Sequence, residues 1–408
     1  LRKEGEPLWV DLGAVESVDG DLARLLAALK CPQTVDDIRK CPSVAEVKRL
    51  ARAADERVMR PVRKLLGDTR HVFVSPDGAL NLLPFAALVD ENGKYLVETY
   101  SLTYLTSGRD LLRLQAGAGS REPPLVVADP AYDGARAFPT PTARIQAGEE
   151  SARRSGEMGA MRFRPLPGTA AEAKALGAAL PGVRVLTRER ATEAALKQVT
   201  APRVLHVATH GFFLPDQPQQ TAAEDARGIT LSGGGGPPVP ARVENPLLRS
   251  GLALEGANQR RGAGGEDGIL TALEAAALDL WGTKLVVLSA CETGVGEVKN
   301  GEGVYGLRRA LVLAGSESLV MSLWQVSDEA TKDLMVSYYK RLLAGGGRTE
   351  ALRQVQLEVL RGGGRAAGGQ GRCLFCEPGK AGAPRDLSHP YYWAAFIQSG
   401  DWRGMGMR

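Results

Sequence analysis

Residues 283–298 read TKLVVLSACETGVGEV. The part LVVLS is short, apolar and β-branched, the composition of a strand buried on both faces. It stops at 289–294, SACETG, where small residues and Gly294 let the chain turn sharply and leave Cys291 at the carboxyl end of the strand. Ligands of open α/β sheets bind at that end. Residues 203–213, RVLHVATHGFF, repeat the pattern: a buried strand followed by His210 and Gly211. Two parallel strands ending side by side, one in a thiol and one in an imidazole, would supply a nucleophile and its base. The expected fold is therefore α/β with a mostly parallel central sheet.

The chemistry asks for those residue types. A neighbouring imidazole that takes the thiol proton makes the thiolate that attacks a carbonyl carbon. The oxyanion then needs backbone donors; the N–H of Gly211, with no side chain to obstruct it, and the N–H of Cys291 are the candidates. Taken singly, a cysteine after a buried strand is a small packed residue and a His-Gly pair is a loop. Their joint occurrence at the ends of two strands favours catalysis.

Several further stretches appear in order: SPDGALNLLPFAAL from Ser75, LPGTAAEAKAL from Leu166, NPLLRSGLALEGAN from Asn245, YGLRRALVLAGSESLVMSLWQVSDEAT from Tyr305 and HPYYWAAFIQSGDW from His389. With THG and LSACETG they resemble the CHAT family of caspase-like cysteine proteases, the separase-related members of clan CD. The resemblance implies a caspase-like three-layer sandwich. Its active half, 165–408, would pack on an amino-terminal pseudo-protease half, 1–115, with 116–164 forming a strand plus a flexible linker. It also implies a cysteine endopeptidase with His210 as general base and Cys291 as nucleophile. The WQVSD turn is similar to one in separase, which would make Asp328 the floor of a pocket for Arg or Lys before the cut bond; Ser327 and Asp328 serve equally as helix caps. Trp324 and Trp393 either line the cleft or fill the core. CHAT modules commonly follow helical repeats or sensor domains, so an activating partner outside this chain is expected. The expected substrate is a specific protein, with a latent defence effector such as a bacterial gasdermin as one candidate. A non-catalytic scaffold and a small-molecule cysteine hydrolase are the alternatives.

Composition narrows the rest. The 408 residues carry a formal charge of +4 and 5% aromatics, with no basic stripe of the kind that holds nucleic acid. No run approaches the length of a membrane span, and the opening LRKEGEPLWVDLG lacks the apolar core of a signal peptide. A cytoplasmic protein, with a partner domain removed from its amino end, is the expectation. Five cysteines without a framework suggest a reducing compartment. Cys31 and Cys41, each followed by proline, and the Cys373/Cys376 pair could hold zinc only by meeting in space; the pattern otherwise reads as unremarkable thiols, and no metal or cofactor is assigned. The glycine clusters at 233–236 and 362–364 lack a following Lys-Ser/Thr and read as linkers.

Locally, helices are expected over 21–30 and 44–66, with Gly67 as the stop of the second, and a strand over 70–75. Residues 136–164 read as a polar, mobile loop. Thr169 and Glu172 have capping-box spacing. Arg227, Arg242, Arg260 and Arg261 are candidate cleavage points or ordinary loop arginines. Asp267 is placed to cap the helix that follows, and His206 reads as a packed neighbour of His210.

Overall fold

The computed structural model describes residues 5–31, 41–134, 161–214, 245–289, 291–292, 302–324, 328–362 and 387–406. Numbered along the chain, its strands form two sheets. The larger has eight strands in the order β1 (His71–Val74), β2 (Ser101–Tyr104), β12 (Phe396–Gly400), β11 (Ser318–Ser322), β9 (Leu285–Leu288), β5 (Val204–Ala208), β3 (Leu125–Pro130) and β4 (Arg184–Arg188). Every neighbouring pair is parallel except β11 with β12. The sheet is thus mostly parallel, as expected, and consists of a three-strand block and a five-strand block running in opposite directions.

The apolar runs explain the centre. All residues of β5, β9 and β11 are buried. Side chains alternate between faces along a strand, so both faces of the sheet must be covered. Besides α1 (Val15–Lys30) and α2 (Val44–Leu66), which pack on each other, the longer helices do this: α3 (Pro167–Ala179), α4 (Glu302–Leu313), α5 (Asp328–Leu343) and α6 (Arg348–Leu360). On β5, His206 reaches residues of α3 and α5, while Leu205 and Val207 point the other way and are equally buried. Helix α2 begins where Ser43 accepts from the Glu46 amide, at 3.3 Å, and ends at Gly67, whose φ of 57° suits glycine.

The second sheet has the order β10 (Cys291–Glu292), β6 (His210–Phe213), β7 (Ser250–Ala253) and β8 (Ile269–Thr271). Only Thr209 separates β5 from β6, and two residues separate β9 from β10. The two central strands therefore leave the large sheet together and run on, still parallel, in the small one.

Three local expectations are corrected. Cys31 and Cys41 are joined by a disulfide with Cα atoms 5.7 Å apart, within the ordinary span of such a bond. Sulfurs bonded to each other are not zinc ligands, and a disulfide runs against the reducing compartment expected from the cysteine pattern. Helix α3 starts at Pro167 with no side-chain cap; the Thr169 hydroxyl donates to Leu166 O at 2.7 Å, and Glu172 is buried rather than turned back to the helix start. Asp267 accepts from the Ile269 amide at 3.0 Å, whereas the Ala272–Ala275 helix is capped by Thr271 and Glu274 in a reciprocal box. Strand β8 intervenes, so the helix starts later than the polar residues suggested. No described helix is long and apolar enough to cross a membrane.

Candidate active site

Cys291 and His210 are direct register partners on the parallel pair β10–β6, and Glu292 pairs with Gly211. Backbones of paired strands lie about 4.8 Å apart. The arrangement follows from the run-on of β5 and β9: neighbours in the large sheet remain neighbours after both cross into the small one. Gly211 sits between Glu292 on one side and Leu252 of β7 on the other.

The imidazole of His210 is 3% exposed and held on one edge, where Nε2 lies 2.7 Å from Arg164 O. A carbonyl oxygen can only accept, so Nε2 carries the hydrogen and the basic nitrogen of the neutral ring is Nδ1. Aromatic rings flank it: Tyr132 at 5.2 Å and Phe163 at 5.7 Å between centroids. Thr209 donates to Ala253 O at 2.5 Å, so Tyr132 donates to Thr209 across 2.9 Å. Burial pushes the Tyr132 hydroxyl up to about 12, which keeps it a neutral donor.

The segment that holds His210 was expected to be loop. Its last residues, 161–164, carry no helix or strand, yet Met161 and Phe163 are buried. Asn258 clamps Phe163 by accepting from its amide at 2.7 Å and donating to its carbonyl at 2.9 Å, and also donates to Asp133 Oδ1 at 2.8 Å. Arg164, Phe163, Tyr132 and Asn258 were not singled out from the sequence. Asn258 closes the motif NPLLRSGLALEGAN, yet nothing local says that its partner lies 95 residues earlier.

The remaining candidates fall as follows. Asp328 is the first residue of α5. Trp324 lies in the core, 3% exposed, with Nε1 donating to Tyr391 O at 3.1 Å. Trp393 is fully buried against Tyr95, ring centroids 5.0 Å apart. Arg227, Arg242, Cys373, Cys376 and the glycines at 233–236 and 363–364 lie outside the described residues. Among the described residues one carboxylate group, Glu193, Glu266 and Glu274, is close enough to bracket a cation. The amino group of Lys197 already contacts all three, at 2.9, 2.8 and 3.2 Å.

The match to known proteins agrees with the motifs. The model of the CHAT domain family matches residues 48–401, most of the chain. The chain belongs to the CHAT domain family. It is 26% identical over 337 residues to tetratricopeptide repeat protein 28 of Homo sapiens, a match that takes in 82% of this chain and 12% of that protein. Among solved structures, that of the Saccharomyces cerevisiae separase–securin complex is similar over 93% of this chain and 20% of that one, with 12% identity and a TM-score of 0.39. The chain thus spans about an eighth of the length of the human relative.

Proposed function

We propose that this chain is a cysteine endopeptidase module in which His210 Nδ1 takes the proton of Cys291 and the thiolate attacks a peptide carbonyl. The register of Cys291 opposite His210 carries the proposal. The hydrogen bond to Arg164 O supports it, because it leaves Nδ1 as the basic nitrogen. As the thiolate adds, negative charge moves to the carbonyl oxygen, for which the N–H groups of Gly211 and Cys291 are the proposed donors. His210 then returns its proton to the leaving amine, and water releases the acyl group from sulfur.

Asp328, at the start of α5, is proposed as the acidic floor of the pocket for the residue before the cut bond, giving a preference for Arg or Lys. The substrate on this account is a specific protein; the family resemblance raises a latent defence effector of the gasdermin kind. Residues 1–115 are proposed to support the active half, 165–408. The name of the human relative refers to tetratricopeptide repeats, which supports control by a repeat or sensor partner.

A peptide library digested by the chain, with Cys291→Ala as control and mass spectrometry as readout, tests the proposal. Cuts after Arg or Lys that vanish in Cys291→Ala are expected. Cuts after another residue type would keep the peptidase and remove Asp328 from the pocket. If Cys291 also alkylated no faster with iodoacetamide than a short peptide thiol, the absence of cutting would overturn the peptidase.

A further inference from the structure

The motif LPGTAAEAKAL has no role in the chemistry above, although it contributes a buried carboxylate. Glu172, on α3, is 2% exposed. Its Oε2 accepts from the Ser289 hydroxyl at 3.0 Å, and its Oε1 lies 3.1 Å from Nε2 of His206, which is itself fully buried. The other nitrogen of His206, Nδ1, lies 3.0 Å from the Tyr339 hydroxyl on α5. Four elements are thereby joined at one point: α3, the strand leading to His210, the strand leading to Cys291, and the helix that begins at Asp328.

Position in the chain gives the cluster its meaning. Ser289 stands two residues before Cys291, in the gap between β9 and β10; His206 stands on β5, four residues before His210. Through that gap the Ser289 amide donates to Val207 O at 2.9 Å and the strands keep one register from β5–β9 into β6–β10, so the cluster adds a side-chain tie where the backbone ladder is thinnest. A buried carboxylate is tolerated only beside groups that stabilise it, so displacing Glu172 from Ser289 or His206 is disfavoured. One carboxylate that accepts from Ser289 on one strand and lies against the imidazole of His206 on the other therefore acts as a gauge between them.

We infer that Glu172 is a positioning residue of the Cys291/His210 centre, setting the height of the thiol-bearing strand against the base-bearing strand through Ser289 and His206. The inference rests on the dyad proposed above. Ser289→Ala removes only the link to the Cys291 strand. Glu172→Met keeps the length of the side chain and removes both oxygens, whereas a Gln amide could still meet His206 in its other tautomer. Ser289→Thr keeps the hydroxyl.

The experiment measures the second-order rate of iodoacetamide alkylation at Cys291, by peptide mass spectrometry, alongside the melting temperature of each variant. Misplacement of reacting groups costs on the order of tenfold to a hundredfold. Ser289→Ala and Glu172→Met are each expected to slow alkylation by that factor at near-native melting temperature. The double variant should be no slower than either single one, and Ser289→Thr should restore the rate. Native alkylation in both single variants would overturn the positioning role and leave the dyad standing. Alkylation lost only in step with the melting temperature would mark the cluster as fold support and equally overturn it. Should the unmodified chain itself react no faster than a peptide thiol, the dyad fails and the inference with it.

Discussion

The two blocks of the large sheet share one core but are joined by different kinds of polar contact. Through the block β1–β2–β12 runs a chain of neutral hydrogen bonds. Thr103 bonds both His71 Nε2, at 2.8 Å, and Thr349, at 2.7 Å; Thr349 reaches Gln398, whose amide donates to Ser399 O and Asp401 O, each at 2.9 Å. Burial holds the His71 imidazole below its ordinary pKa, which favours the uncharged ring. In the block β11–β9–β5–β3–β4 the corresponding cluster is built on a buried carboxylate and an imidazole, Glu172 and His206. Only this block sends strands onward into a second sheet. Neutral hydrogen bonds hold strands together at low cost, whereas a buried carboxylate needs particular neighbours. The contrast is one of placement: the first block has its buried ion pair, Arg348 with Asp401 at 3.0 Å, beside the start of β11, whereas the second sets a buried carboxylate just below the proposed chemistry.

The largest test of this contrast is catalytic. Cys291→Ala or His210→Ala is expected to lower kcat/KM by about a thousandfold or more, since members of such a unit fail together. Thr349→Val, in the neutral cluster, should leave kcat/KM within about twofold while lowering the melting temperature, because it leaves buried partners unsatisfied. A catalytic loss from Thr349→Val would erase the distinction between the blocks.

Next comes the disulfide. It joins the ends of α1 and α2, and α2 holds the connection between β1 and β2, where Lys48 donates to Gly93 O at 3.3 Å. Replacing Cys31 and Cys41 by serine should cost about 2–3 kcal/mol in denaturant unfolding, from the added freedom of the unfolded chain. Cys291 alkylation should not change; if it did, the first block would be coupled to the site.

Asn258→Ala should cost about 1–3 kcal/mol, because it leaves the amide and carbonyl of buried Phe163 without their partner. Here kcat is expected to fall more than KM rises, since the loss loosens the segment that orients His210. A pure KM effect in steady-state kinetics would argue against that role.

The smallest effect concerns Glu193, pushed up to about 7 by burial, with hydrogen bonding from Lys197 opposing the shift. The folded chain keeps a proton here that the unfolded chain gives up near pH 4.5. Stability from this group therefore falls as pH rises from about 4.5 through about 7. Glu193→Gln should flatten that part of the stability curve measured by denaturant titration, and an unchanged slope would assign it to another group.

Much of this was legible in the residues. Apolar β-branched runs marked the central strands, because burial on both faces leaves no room for polar alternation. Gly67 marked the end of α2, because a positive φ is cheap only without a Cβ. The THG and LSACETG endings, and with them the CHAT family, could also be read from short stretches. Tertiary structure alone decided the partners. Glu172 has the spacing of a capping residue and goes instead to Ser289, 117 positions away. The carbonyl that orients His210 comes from a segment whose composition reads as loop. Trp324 was ambiguous between cleft and core until its neighbours were in place. Local sequence records whether a side chain must be buried; which group meets it there depends on long-range closure of the chain, and no periodicity within a segment encodes that.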